Sequence, residues 1–331
     1  MASHIERRKF LATLGGAAAT WPNSVAAQLS VRRALIAMLV SGSSDGYSRH
    51  VQAFRRGLQG LGYSEGRDIE IVYRYADGDP ARMPALAAEL VKLDPSVIVT
   101  TSTSAALAAK QATTTVPIIS AILTDPIGNH LAVSEARPGG NVTGIEFTLM
   151  GLTGKQLELA REVIPQTSTV GLVAHMKSAS NPPQRRDAEA AANALGIRLM
   201  PADIDLPDQL GPTFQAYARN GVDWVIVLGD ALFISERDRI ASLAMSLRLP
   251  TIFASREHVE AGGLISYGVD LAANHERAAY YVDKVLKGAK AGDLPIEFPT
   301  KPALTINLKT AKALGLDMPL FLQQRADEVI E

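Results

Sequence analysis

Asp94-Pro95-Ser96-Val97-Ile98-Val99-Thr100-Thr101-Ser102-Thr103-Ser104 leads into Ala105-Ala106-Leu107-Ala108-Ala109-Lys110-Gln111-Ala112, and a threonine run then leads to Val116-Pro117-Ile118-Ile119-Ser120 and Thr124-Asp125-Pro126-Ile127-Gly128. This reads as strand, hydroxyl-rich loop, helix, strand, loop. The β-branched run from Val97 to Val99 suits a strand buried on both faces. Ala105 to Ala112 consists largely of strong helix formers, and Pro117 marks where the next strand begins. Two neighbouring parallel strands then end in polar loops on one edge of a sheet, the edge at which open α/β sheets bind ligands.

A similar order returns between Gly221 and Ser255. Val222-Asp223-Trp224 precedes Val225-Ile226-Val227-Leu228, then the loop Gly229-Asp230-Ala231, a helical stretch from Ile234 to Leu247, and Leu249-Pro250-Thr251-Ile252-Phe253. Any two strand–helix–strand units share this grammar. The alternative is two similarly built lobes, each offering a loop edge to a shared cleft. Outward from both stretches, strand and helix alternate almost without exception, which predicts parallel sheets with helices on both faces. Other strands are expected at Ala34–Val40, Ile69–Tyr73, Asn141–Phe147, Thr169–Ala174, Ile197–Pro201, Gly262–Gly268 and Leu304–Leu308. A long helix over Ala273–Lys287 carries the chain back to the first lobe. The expected division is residues 31–147 with 269–301 in lobe 1 and 148–268 with 302–331 in lobe 2, joined by crossing strands that hinge.

The 331-residue chain is comfortable for two lobes and has a net charge of -1, which gives no electrostatic footprint for nucleic acid. It has no cysteine, so disulfides, thiolate metal sites, cysteine nucleophiles and a lipid-anchoring cysteine are all excluded. Arg7-Arg8-Lys9-Phe10-Leu11, the apolar stretch to Trp21 and the small residues Val25-Ala26-Ala27 have the form of a twin-arginine export signal over residues 1–27. The expectation is an exported, periplasmic protein without a lipid anchor.

Signatures of the common catalytic and nucleotide sites are missing. No Gly-x-x-x-x-Gly-Lys-Ser/Thr loop, Gly-x-Gly-x-x-Gly fingerprint or Gly-x-Ser-x-Gly elbow is present, and the histidines lack His-x-x-x-His spacing. No cofactor or metal is expected. Glu257-His258 resembles half of an acid–base pair, with nothing in the sequence to complete it. Binding chemistry remains. Ser102, Thr103 and Ser104, with Thr101, precede a helix whose first turn has unpaired N–H groups and a positive end, so a carboxylate fits there. Asp125, beside Thr124, and Asp230 sit at corresponding strand exits, where either could receive an ammonium or serve only as a turn former or cap. Asn181 is placed to donate and accept, or to cap. Ser43 and Tyr47 in the loop after the first strand, with Phe147 and Tyr267 at strand ends, complete the candidate pocket.

Several runs resemble the ABC-transporter substrate-binding protein family related to tryptophan and tyrosine importers. They include Phe54-Arg55-Arg56-Gly57-Leu58, Leu61-Gly62-Tyr63, Thr124-Asp125-Pro126-Ile127-Gly128, Ala136-Arg137-Pro138-Gly139-Gly140-Asn141-Val142-Thr143-Gly144 and Phe253-Ala254-Ser255-Arg256-Glu257-His258. The resemblance spans essentially the whole mature chain. It implies a periplasmic-binding-protein type I fold, a small solute in the interlobe cleft, a membrane permease and its ATPase as partners, a monomer, and no catalysis. It places the pocket on Ser102 to Ser104, Thr124, Asp125, Asn181 and Asp230. One departure from the family pattern is the loop His175-Met176-Lys177-Ser178-Ala179-Ser180-Asn181, which replaces an Asn-Pro-Ala-Asn-like turn. A hydrolase or isomerase using cleft carboxylates, and a ligand-sensing receptor module, are the alternative readings.

Overall fold

The computed structural model describes residues 33–147, 151–298 and 302–331. The expected export signal lies outside these residues, as do parts of two of the expected lobe junctions.

The first lobe opens with β1 (Ala34–Val40), α1 (Ser48–Gly60), β2 (Ile69–Tyr75), α2 (Met83–Val91), β3 (Val97–Thr100), α3 (Thr103–Ala112), β4 (Ile118–Leu123) and β5 (Val142–Glu146). Its five strands are all parallel, in the order β2-β1-β3-β4-β5. Every residue of β3 and of β4 is buried, because helices cover both faces of the sheet. On one face, Ala105, Ala106 and Ala109 of α3 let that helix lie close to Ile98 and Ile118.

The second lobe follows with α4 (Leu152–Val163), β6 (Thr169–Ala174), α5 (Asn181–Leu195), β7 (Arg198–Asp203), α6 (Leu210–Arg219), β8 (Trp224–Val227), α7 (Ala231–Ser235), α8 (Arg237–Ser246), β9 (Thr251–Phe253), α9 (Arg256–Glu260) and β10 (Ile265–Gly268). The chain then makes α10 (Leu271–Leu286), β11 (Ala303–Asn307), α11 (Leu308–Leu314), α12 (Leu320–Arg325) and β12 (Glu328–Ile330). The second sheet has the order β12-β11-β10-β9-β8-β6-β7. Its one antiparallel pair is β10 with β11, since the chain leaves the sheet along β10 and re-enters at the same end. Between these two strands α10 visits the first lobe, where it packs on α1 and β4 and puts Tyr281 and Val282 into the same core as Phe54 and Leu58.

One local expectation is corrected. The helix expected over Ile234–Leu247 is two helices, because Asp230 caps a short α7 by accepting the Leu232 N–H, and the chain turns at Glu236 before α8. Helix α5 begins at Asn181, with proline in its first turn, where a missing N–H breaks no hydrogen bond. The short α9, α12 and β12 have no counterpart in the sequence reading.

Both sheets place their topological switch point alike. In the first, the chain steps outward from β1 to β2 and then from β3 the other way. In the second, it does so from β6 to β7 and then from β8. The crevice at such a point is where ligands bind in open α/β sheets.

Glu146 ends β5, beside the first passage between lobes, and is 8% exposed. Burial pushes its carboxyl pKa up to about 7; a backbone hydrogen bond from Asp125 opposes this, and the charges of Glu135 and Asp125 add to it. The folded protein therefore holds a proton that the unfolded chain releases at its ordinary value of 4.5. The corresponding stability is present below that pH and is lost as pH rises toward 7. Glu146→Gln should melt above the wild type at about pH 8 and close to it at about pH 5. Melting curves with the same pH profile in both proteins would assign the effect elsewhere.

Candidate functional site

The loops after β1 and β3 face the loops after β6 and β8 across a narrow cavity. The first lobe lines it with Tyr47, Thr101, Ser102, Ile122, Phe147 and Leu271, and the second with Ser180, Gly229, Asp230, Ala231, Ile234 and Ser255. The walls are mostly apolar, with a few polar groups at defined places, which is the usual composition of a small-molecule site.

Hydroxyl groups form a directed chain on the first-lobe side. Thr101 Oγ1 accepts the Ser41 N–H at 2.8 Å and donates to Ser41 Oγ at 3.1 Å. Ser41 Oγ donates to Ser102 Oγ at 2.6 Å. Ser102 is the N-cap of α3 and also accepts the Ala105 N–H at 3.1 Å. Its own hydroxyl proton is thus left for the cavity that it lines, next to the positive end of a ten-residue helix.

Asp230 stands opposite, at the exit of β8. Its Oδ1 accepts the Leu232 N–H at 2.9 Å and lies 3.0 Å from His175 Nδ1. Its Oδ2 has no hydrogen bond among the described residues. His175 is the first residue after β6, and its side chain is 1% exposed. Burial pulls the imidazole pKa down, but the hydrogen bond and charge of Asp230 raise it by more, with help from Asp205 and Asp203. Tyr47, 1% exposed, also lacks a hydrogen bond for its hydroxyl among the described residues. Its phenol pKa is raised by burial and then by the charges of Asp230 and Glu257. Phe147 needs a glycine opposite, because a Cβ at Gly229 would stand 2.7 Å from its ring.

The lobes touch outside the cavity, so the structure is a closed form. Ser104 Oγ accepts the Ala179 N–H at 3.0 Å, the Ser43 N–H donates to Ser235 Oγ at 3.2 Å, and His50 Nε2 lies 3.0 Å from Glu257 Oε1.

Of the residues singled out in the sequence, Thr101, Ser102, Asp230, Tyr47 and Phe147 line the cavity. The others do not, and each has another role. Ser43 and Ser104 make the interlobe bonds just described. Thr103 Oγ1, at the start of α3, accepts the Thr124 N–H at 2.9 Å within the first lobe and the Ser180 hydroxyl at 3.4 Å from the second. Asp125 has a left-handed φ of 46° and accepts the Gly128 N–H, which makes it a turn former. Asn181 accepts the His175 N–H at 2.8 Å and donates to the Gly229 carbonyl at 3.0 Å, stapling the two second-lobe loops together. Tyr267 packs into the second-lobe core, and its carbonyl accepts from Gln156. The sequence reading missed Ile122, Ser180, Ile234, Ser255, Leu271 and the His175 partner of Asp230. Only His175 and Ser180 carried a signal, as members of the atypical loop.

Known proteins share this architecture. The sequence family described as ABC transporter substrate binding protein matches residues 35–330. A tyrosine-binding protein of Clostridioides difficile is 26% identical over 265 residues, covering 80% of this chain and 76% of the relative. The crystal structure of a conserved domain protein from Vibrio cholerae superposes with a TM-score of 0.85 at 28% identity, over 90% of this chain and 100% of that one. The ABC domain from Streptococcus pneumonia in complex with L-Trp gives 0.84 at 26% identity, over the same 90% and 100%. With a family match that runs from β1 to β12 and a cleft built between two such lobes, the chain belongs to the ABC transporter substrate-binding protein family.

Proposed function

We propose that this protein is the periplasmic receptor of an ABC importer and that it captures an α-amino acid with an apolar or aromatic side chain. The observation that carries this reading is the opposition of two groups across the cleft. Ser102 offers a free hydroxyl proton at the start of α3, and Asp230 offers an uncommitted carboxylate oxygen. A ligand carboxylate meets the first and an ammonium the second, so a zwitterion bridges the lobes and favours the closed form through contacts that the open form lacks. Ile122, Phe147, Ile234 and Leu271 then wall the side chain. The tyrosine and L-Trp named for two relatives fit this division. In this reading the chain works as a monomer, without cofactor, and releases its solute unchanged to a permease driven by its ATPase. Residues 1–27 direct export, and the lobes divide at 147/148, 268/269 and 301/302.

Native mass spectrometry of the purified protein, before and after unfolding, should release an unmodified amino acid. Titration of the emptied protein with L-tyrosine, L-tryptophan and L-leucine should show saturable heat with at least one of them, together with a smaller radius of gyration by X-ray scattering. Turnover of the bound solute, or a carried ligand without a carboxylate, would overturn the reading.

A further inference from the structure

Glu257-His258 reads in the sequence as half of an acid–base pair, and the fold supplies the missing half from the other lobe. Glu257 stands on α9 of the second lobe and His50 on α1 of the first. Their side chains are 8% and 0% exposed, and Glu257 Oε1 lies 3.0 Å from His50 Nε2. Neither residue lines the solute cavity. Tyr47, which does, lies against His50 with ring centroids 5.0 Å apart and the rings tilted by 53°. His275 of α10 lies on another side of His50, also at 5.0 Å. Glu257 Oε2, His50 Nδ1 and His275 Nε2 have no partner among the described residues.

We propose that His50 and Glu257 form an interlobe latch, a pair of positioning residues that, when both are present, keeps the open–closed equilibrium near balance so that the solute decides it, without touching the solute. Closure takes both groups out of water, and the desolvation cost of a buried pair is comparable to its attraction. With only one oxygen and one nitrogen satisfied, the pair gives closure little net drive, so solute contacts decide the outcome. A single partner is another matter. Left alone, either group is stranded in the closed form and hydrated in the open one.

The surroundings agree. Burial pushes the Glu257 pKa up, but the His50 hydrogen bond and charge outweigh it and hold the value at about 2, with His258 also lowering it. Burial and His50 pull His275 down to about 3, and burial pulls His258 down to about 4, against the charge of Glu257. Both therefore stay neutral neighbours near pH 7. Charged groups nearby among the described residues include Asp230, Arg237, and Arg49 with its partner Glu260 and the neighbouring Asp270.

The test compares ligand-free wild type, His50→Leu, Glu257→Met and the double variant. Because the native chain has no cysteine, one spin label placed on each lobe reports a unique distance. The closed-to-open ratio should be at least about tenfold lower in each single variant than in the double variant, which strands no group. The wild type should lie between them or match the double. A double variant no more closed than the single ones overturns the latch. If His50→Leu fails to fold, His50→Phe takes its place in both the single and the double variant, and equal distance distributions in these two reject the proposal.

Discussion

Asp230→Asn should weaken the binding of L-tyrosine about ten- to a hundredfold, while leaving its deaminated analogue, 3-(4-hydroxyphenyl)propionate, almost unaffected. The argument rests on what the substitution keeps. An asparagine oxygen can still accept the Leu232 N–H and the His175 Nδ1–H, so the cap of α7 and the loop after β6 stay in place. What is lost is the charge facing the cavity. A hydrogen bond to a charged group contributes about 1.5–3 kcal/mol, and every 1.4 kcal/mol is about tenfold in affinity. Ser102→Ala should weaken both ligands, because it removes the donor that the ammonium does not use. Calorimetry on the two variants separates the ends of the ligand. Equal losses for both ligands on Asp230→Asn would place the ammonium elsewhere.

A large stability effect should come from Gly268→Ala. Gly268 ends β10, where the chain turns toward α10, and an added Cβ would lie 1.9 Å from the Ala254 carbonyl oxygen and 2.7 Å from its carbon. Both obstacles are backbone, so no rotamer change relieves them. The loop after β9 or the register of β10 on β9 has to give way. Overpacking a well-filled site typically costs 1–3 kcal/mol and occasionally more. A clash with backbone belongs at the upper end, so the expected loss is about 3 kcal/mol, or a melting point lower by about 6–12 °C. Gly211→Ala is the control. It lies within α6 with nothing inside 4 Å of the new methyl, and should be neutral or stabilising by up to about 1 kcal/mol. Matching melting points for Gly268→Ala and wild type would show that the strand end has room after all.

The fold was legible where burial dictates composition. Val97 to Val99 and Val225 to Leu228 had to be apolar on both faces, because helices cover both sides of each sheet, and such runs stand out in a sequence. The site was legible only in part. Asp125 and Asp230 both follow strands, but Gly128 at the third position beyond Asp125 lets that carboxylate close a turn, whereas Asp230 points its spare oxygen toward the cleft. Thr103 and Ser104 look like Ser102 in the sequence. What separates them is the direction in which each first-turn side chain leaves α3, and that sets Ser104 against the other lobe. The His50–Glu257 contact joins residues 207 positions apart, and no local pattern marks such a pair. The short α9, α12 and β12 lack the length for periodicity to show.

The visit of α10 to the first lobe bears on how the chain is made. One face of the first sheet needs Ala278, Tyr281 and Val282 to cover Phe54 and Leu58, yet these residues emerge only after all the strands from β6 to β10 have been synthesised. At translation speeds of about 5–20 residues per second, that face stays bare on the order of ten seconds. The N-terminal half therefore cannot complete its core as a unit during synthesis, and the contacts that finish it are among the most distant in the chain. Such topologies fold slowly, and the interval leaves apolar surface open to a chaperone before the native state forms.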